Sequence, residues 1–369
     1  MTQLYLVRHA EAEGNLYRIA QGQDNSNLTD RGWRQVRALE RRFQEIHIDA
    51  VYSSDLYRTC ATASAIYKPK GLPLNREPLL REIGVGVWER LTWGEIYRRW
   101  PEQMQYFSHE PAKWQIEKGE DPRAVQQRGL QAVREIAARH DGQTVAVVAH
   151  GYIIRLLMAH LQGYSMERAG ESPTGDNTAV SLLEVENGEI RILFRDDNSH
   201  LKTPEFLAGE KVVKRKTAME PGLWFRPLEL PAQEELFCAL AETAFPAGHF
   251  DRQRLLADAA VRPTWVGYLR EEPVGLLQLG PEAGWLSLVC IRPDQRKRGF
   301  GVQLIGQAVY RVRPGGVDYL RVLEPADEAG RSFFGDYGFH AAGRTEDGRV
   351  ILEKNIGFDP EILGSGPHA

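Results

Sequence analysis

The chain has only three cysteines in 369 residues, Cys60, Cys238 and Cys290, and they stand far apart. None belongs to a Cys-x-x-Cys pair, which argues against zinc ribbons and disulfide scaffolds. Long apolar runs are also missing. No stretch of about 18 apolar residues occurs, so no transmembrane helix and no membrane partner is expected. Neither sign of charge dominates. With 46 Lys and Arg against 50 Asp and Glu the net charge is -4, which gives no global case for nucleic acid as a partner. The N-terminal MTQLYLVRHAEAE lacks the basic region and cleavage site of a secretory signal, so a cytoplasmic protein is expected. What is present is ordinary globular composition, and a length that suggests roughly two domains.

The first 200 residues or so alternate short apolar runs with amphipathic stretches. LYLV, DAVYSS and TVAVVAH read as buried strands. Between the first two, Trp33, Val36, Leu39, Phe43 and Ile46 recur near helical spacing, with Thr29 or Asp30 as the cap. Strand, helix and strand in that order predict a βαβ unit and a largely parallel sheet. TAVSLLEV and IRILF flank Asn187-Gly188, the sequence of a tight hairpin turn. Residues 204–222 lack periodicity and read as a linker, with Lys211, Lys214, Arg215 and Lys216 as a solvated basic face. From 223 to 356 an α+β pattern restarts: a helix in QEELFCALAETAF, a hairpin in TWVGYLREEPVGLLQL, then strands and helices in alternation. The tail 357–369 reads as loosely ordered.

In open α/β sheets ligands bind beyond the carboxyl ends of the strands. By that rule Arg8 and His9, Arg58, and His150 with Gly151 meet at one sheet edge. Two arginines repel unless a dianion lies between them, and phosphate accepts paired N–H bonds. Adjacent guanidinium groups oppose a divalent cation, so no metal is expected. A neutral imidazole there is a nucleophile, and a phosphohistidine would split phosphoryl transfer into two steps. The leaving oxygen needs a proton. Glu11, Glu13, Asp55, Glu82 and Glu89 are all candidates for the acid.

These residues carry a resemblance. LVRHAEAEGN, SSDLYRTCATA, REIGVGVWERLTWGEI, VVAHGYIIR and RDDNSHL occur in the order of the motifs of the histidine phosphatase superfamily, the phosphoglycerate mutase-like enzymes. The resemblance covers residues 1–203 and implies a mostly parallel α/β sandwich. It implies His9 as phosphoryl acceptor, Arg8, Arg58 and His150 on the phosphate, Glu82 as general acid, and support from Asn15 and Gly151. Glu11 then reads as a rim or surface residue and Asp55 as a helix cap. Arg90 stands where the family usually has glycine. AQGQDNSNLT and KGEDPRAVQQR resemble the phosphatase versions of their segments, with Asp121 in place of a serine. A phosphatase of small phosphomonoesters is therefore expected ahead of a mutase. Trp93, Trp100, Tyr106, Phe107 and Trp114 in the lid read mostly as packing.

In the second half, a strand ending near Ile291 is followed by Gln295, Arg296, Lys297, Arg298, Gly299, Phe300 and Gly301, and then a helix. Glycines permit close approach, and a helix N-terminus presents free N–H groups, which suits a pyrophosphate. RxxGxG in this place resembles the acetyl-CoA loop of GNAT-type N-acetyltransferases, and AGRSFFGDYGF resembles their later helix. The resemblance implies acetyl-CoA as cofactor and a primary amine as acceptor. The pantetheine arm would lie along the strand at Val289 to Ile291, and the pyrophosphate on the amides of Arg296 to Gly301. Phe334 stands where many such enzymes have a tyrosine, so a non-catalytic acyl-CoA sensor is the alternative. Cys290 reads as a core residue rather than a nucleophile.

Overall fold

The computed structural model describes residues 1–210, 222–245 and 250–364. The N-terminal half contains β1 (Thr2–Arg8), α1 (Glu13–Tyr17), α2 (Asp30–Phe43), β2 (Ala50–Ser53), α3 (Tyr57–Lys70) and β3 (Leu74–Arg76). It continues with α4 (Trp93–Arg99), α5 (Pro101–His109), α6 (Pro122–Arg139), β4 (Thr144–Ala149), α7 (Gly151–Leu161), β5 (Val180–Glu186) and β6 (Glu189–Asp197). The sheet order is β3-β2-β4-β1-β5-β6. The first four are mutually parallel, while β5 and β6 run antiparallel. β1 and β2 are parallel as the sequence predicts, but β4 lies between them.

Both sheet faces are covered, which is why these strands read as unbroken apolar runs. Leu4, Leu6, Val145 and Val147 feed the core on one face; Val7, Ala146 and Val148 feed the other. α2 begins where Thr29 accepts a hydrogen bond from the Gly32 amide, and it buries Val36, Leu39 and Phe43. The β5–β6 turn takes positive φ at Asn187 and Gly188, as the hairpin reading requires.

The first part of the segment 204–222, expected as a linker, is helical. Residues 204–208 form α8 (Pro204–Ala208), and its Phe206 is buried against Ala38 and Leu201. A single turn is too short to show periodicity. Lys211, Lys214, Arg215 and Lys216 lie outside the described residues.

The C-terminal half contains β7 (Trp224–Pro227), α9 (Glu234–Glu242), α10 (Arg252–Val261), β8 (Thr264–Leu269), β9 (Glu272–Leu279) and β10 (Trp285–Ile291). It closes with α11 (Gly301–Val312), β11 (Tyr319–Leu323), α12 (Glu328–Asp336), β12 (His340–Arg344), β13 (Val350–Asn355) and α13 (Pro360–Leu363). Its sheet order is β12-β13-β11-β10-β9-β8-β7. Cys290 is buried in this core, as read from the sequence, and burial pushes its thiol up to about 12.

The tail is not loose where it is described. Ile362 of α13 is buried in the N-terminal core, and Arg76 donates to the carbonyls of Ile362 and Leu363 at 2.7 Å each. Among the described residues no helix is long and apolar enough to cross a membrane. Ile362→Ala is expected to destabilise the protein by about 2–4 kcal/mol, read as a lower urea midpoint. An unchanged midpoint would mean that the tail merely rests on the surface.

Candidate active site

The carboxyl ends of β1 and β4 bring His9 and His150 together, with ring centroids 5.4 Å apart. His9 Nδ1 lies 2.7 Å from the Ala10 carbonyl, so it is the protonated nitrogen and Nε2 keeps its lone pair. Arg58 Nε donates to His150 Nδ1 at 3.1 Å, which leaves the His150 proton on Nε2. Both rings are held well below the usual histidine range, chiefly by burial and then by the field of Arg58. Arg8 adds to both.

Arg58 is fully buried, and its Nη1 and Nη2 donate to the carbonyls of Asp24 at 2.9 Å and Gly22 at 2.8 Å. The 22–24 loop and His150 thus fix this guanidinium in place. Arg8 donates through Nη1 to the Gly175 carbonyl. Two buried donors, Arg8 Nε and His150 Nε2, have no acceptor among the described residues. Such donors are rare in folded proteins. Gly151 gives them room: a Cβ there would stand 3.0 Å from Arg8 Nε and press on its guanidinium.

Glu82 lies at the N-terminus of α7. Its carboxylate accepts from the amides of Tyr152 at 2.9 Å and Ile153 at 3.1 Å, and from its neighbour Ile83 at 3.0 Å. It is the carboxylate acting most strongly on both Arg8 and Arg58. The other acid candidates are engaged elsewhere. Glu89 accepts from the Gly22 and Gln23 amides, and burial pushes its carboxyl upward. Glu13 is ion-paired with Arg313.

Two expectations need correction. Glu11 is not at the rim: it is buried, accepting from Thr29 Oγ1 at 2.8 Å and Arg31 Nη1 at 3.2 Å. Asp55 caps no helix, since Leu56 is the residue before α3. Asp55 instead pairs through both oxygens with Arg81, the neighbour of Glu82.

Several contributors were not assigned from sequence. Arg128 on α6 donates to the carbonyls of Leu79, Arg81 and Glu82 at 2.7, 2.6 and 3.0 Å and pairs with Glu120. Asn177 Nδ2 donates to the His9 carbonyl at 3.0 Å and lies 3.4 Å from Asn15 Oδ1. Asn177 just precedes β5, and an antiparallel neighbour of β1 begins where β1 ends; that is the signal that could have found it. Arg90 has φ 65°, which accounts for glycine being usual there, and its guanidinium pairs with Asp24 at 2.8 and 2.7 Å. Trp93, Trp100, Phe107 and Trp114 pack around the buried Trp88, with Phe107 stacked on Tyr152, while Tyr106 donates its hydroxyl to Glu102. Asp121 caps α6. Among the described residues no cluster of His, Cys, Asp and Glu is arranged to hold a metal ion.

A sequence model of the histidine phosphatase superfamily (branch 1) matches residues 4–198. The chain belongs to the histidine phosphatase superfamily. Phosphoserine phosphatase 1 of Hydrogenobacter thermophilus is 32% identical over 201 residues, covering 54% of this chain and 95% of its own. A metal-independent phosphoserine phosphatase of Arabidopsis thaliana is 33% identical over 210 residues, 56% of this chain and 86% of its own. The solved structure of Bacillus stearothermophilus YhfR superposes with a TM-score of 0.53 at 33% identity, covering 55% of this chain and all, 100%, of that one. The N-terminal half of this superfamily member therefore has the phosphoglycerate mutase-like α/β fold. A model described as FR47-like protein matches residues 267–349, so the C-terminal region carries a GNAT-like domain.

In that domain β10 pairs with β11 only at Trp285 and Leu286, and beyond them the strands part. Val289 and Ile291 are paired with Leu277 and Gly275 of β9, which leaves their other edge unpaired by β11. Lys297 and Gly299 take φ of 60° and 81°, turning the chain into α11. The amides of Lys297, Gly299, Phe300 and Gly301 make no backbone hydrogen bond among the described residues. The Arg296 amide differs: it donates to the Pro293 carbonyl, and its guanidinium holds the carbonyls of Ile291 and Thr243. Phe334 is buried against Phe333 and Phe339.

The superfamily member's histidines set a pH dependence. His200, in the RDDNSHL segment, lies 3.0 Å from Thr178 Oγ1, and burial, with Arg42 beside it, lowers it to about 4. With folded values below about 6.5, the unfolded chain binds more protons under that pH, so stability falls on acidification. Each such histidine contributes at most about 1.4 kcal/mol per pH unit. His200→Gln should flatten the loss of urea midpoint between pH 6.5 and 4 relative to the unmodified protein. Parallel curves would rule out this histidine as a source.

Proposed function

We propose that the N-terminal half is a metal-independent phosphomonoesterase working through a phosphohistidine at His9. What carries this reading is the pair of buried donors, Arg8 Nε and His150 Nε2, without an acceptor among the described residues, beside a neutral imidazole whose Nε2 is unprotonated. Phosphate oxygens satisfy both donors. The Gly151 amide at the head of α7 and the remaining N–H groups of Arg58 would complete the anion site. Asn15, through Ala12 and Asn177, supports the loop that carries His9.

In the reaction, His9 Nε2 attacks phosphorus as the ester P–O bond breaks, and Glu82 passes a proton to the leaving oxygen. Water then attacks the phosphohistidine and gives a proton to Glu82. Phosphate leaves and the imidazole is restored. Charge on the transferring group is met by fixed guanidinium and N–H groups. O-phosphoserine is the first substrate to test, from the names of the two curated relatives.

His9→Ala should reduce hydrolysis of O-phosphoserine to background, while EDTA leaves the unmodified protein unaffected. Full activity in this variant would refute the assignment. Glu82→Gln should slow phosphoserine hydrolysis by about 10²–10⁴-fold. It should matter far less for p-nitrophenyl phosphate, whose leaving group needs no proton. Equal losses on both esters would remove Glu82 from the role of acid.

For the C-terminal half we infer acetyl-CoA binding, with N-acetyl transfer to a primary amine as its use. The parted β10 and β11 at Val289 and Ile291, and the amides of Lys297, Gly299, Phe300 and Gly301, fit a pantetheine arm and a pyrophosphate. Of the loop set, the Arg296 amide is already engaged, so the pyrophosphate reading rests on the amides of Lys297, Gly299, Phe300 and Gly301, with the Arg298 side chain beside them. Bound there, acetyl-CoA would supply an activated acyl group. Phe334, with no proton to give, favours the second reading, an acyl-CoA sensor that does not turn over. Titration calorimetry should detect acetyl-CoA binding, weakened about tenfold or more by Gly299→Val, whose φ of 81° a branched residue resists. No heat of binding would end both readings; consumption of acetyl-CoA with a free amine would decide for transfer.

A further inference from the structure

The segment that follows the nucleophile is also part of the second domain's core. α1 starts four residues after His9, and Tyr17 and Ile19 are buried in one cluster with Leu304, Ile305 and Val309 of α11. Gly306 is the notch: a Cβ there would fall 2.4 Å from Tyr17 Cβ and Cγ. Glycine costs about 1 kcal/mol relative to alanine in a helix interior, and this contact explains its presence.

The same contact is locked by charge. Arg313, just beyond α11, donates through Nη1 and Nη2 to the two Glu13 oxygens at 2.8 and 2.7 Å. Its Nε donates to the Ile356 carbonyl at 2.8 Å. Glu13 is buried and accepts also from the Asn27 amide at 3.1 Å. Asn27 Nδ2 in turn donates to the Gly357 carbonyl at 2.6 Å. At the other end of this chain of contacts, Asn15 of α1 accepts from the Ala12 amide at 3.0 Å and meets Asn177, which donates to the His9 carbonyl.

We propose that Arg313, with the Gly306 notch, is a positioning residue for the phosphoryl-transfer site: the second domain braces α1 and through it the nucleophile loop. This rests on the phosphohistidine reading above. Arg313 touches neither phosphate nor His9. It acts by holding Glu13, and hence Asn15, in register with Asn177 and the His9 carbonyl. Small displacements of a reacting group are costly in rate, and a loosened α1 displaces the loop that carries it. Removing Arg313 also leaves a buried carboxylate unpaired, which pushes α1 to move toward water.

The test uses full-length Arg313→Met and Gly306→Ala, assayed with O-phosphoserine below their melting temperatures. Both should lower kcat by about 10- to 100-fold while KM changes less than about twofold. Rapid-quench measurements should place the loss in formation of phosphohistidine. Gly306→Ala tests the notch itself: its Cβ collides with Tyr17 and outweighs the gain in helix propensity, so the melting temperature falls, and a loosened brace lowers kcat as well. The inference is overturned if both folded variants keep the unmodified kcat, or if only their melting temperatures move. Absence of turnover in the unmodified protein would instead sink the phosphatase reading itself.

Discussion

The positive charge of two guanidinium groups, Arg58 fully buried and Arg8 half-buried with its Nε enclosed, is the constraint around which the N-terminal half is built. Arg8 and Arg58 lie at one sheet edge, and the carboxylate that bears most on both is Glu82. Burying charge is expensive unless each ionised group finds partners. The fold answers with carbonyls: Gly22 and Asp24 for Arg58, Gly175 for Arg8. It keeps both imidazoles neutral, so that no third and fourth cation is added. The balance still favours an anion, and that excess is what makes the edge a site rather than a core.

Once the cations are placed, the loops around them must be held, and each is held by an ion pair or a tied carbonyl. Asp55 fixes Arg81 beside Glu82. Arg128 ties three carbonyls of the Leu79–Glu82 segment and is itself held by Glu120. Arg90, in a left-handed conformation, holds Asp24. Pairs of this kind contribute little stability when exposed. Their value here is geometric, because each one restrains a loop that carries or touches an acid or a guanidinium. The aromatic cluster at Trp88 supplies the apolar mass under the same loops.

What was legible in the sequence follows from this division of labour. Strands buried on both faces announce themselves as apolar runs, and their carboxyl ends point to Arg8, His9 and His150. Helix α2 showed its cap and its stripe. The elements that were missed have weak local signals. α8 and α13 are single turns anchored by one side chain each, Phe206 and Ile362. β12 is exposed along its whole length, so it shows no alternation. Glu11 and Asp55 were misplaced because a carboxylate's burial is decided by partners distant in sequence, Arg31 and Arg81. Composition and periodicity carry no information on such pairs.

A covalent tether by itself needs no shared core, and domains joined only for proximity usually meet through modest, polar surfaces. Here the contact is of another kind. Tyr17 and Ile19 are buried among the residues of the second domain, a glycine is kept in α11 to admit Tyr17, and Glu13 has its charge met by Arg313 across the junction. The segment supplying these groups is the one that leaves His9. Two sheets are thereby joined at the helix that follows His9 and the helix that follows the Lys297–Gly299 turn. A displacement of α11 relative to α1 cannot occur without cost to both cores, since Tyr17 has no room to slide past Gly306. Tight packing makes such a junction stiff rather than compliant. The physical consequence is that the segment leaving His9 is held by both domains.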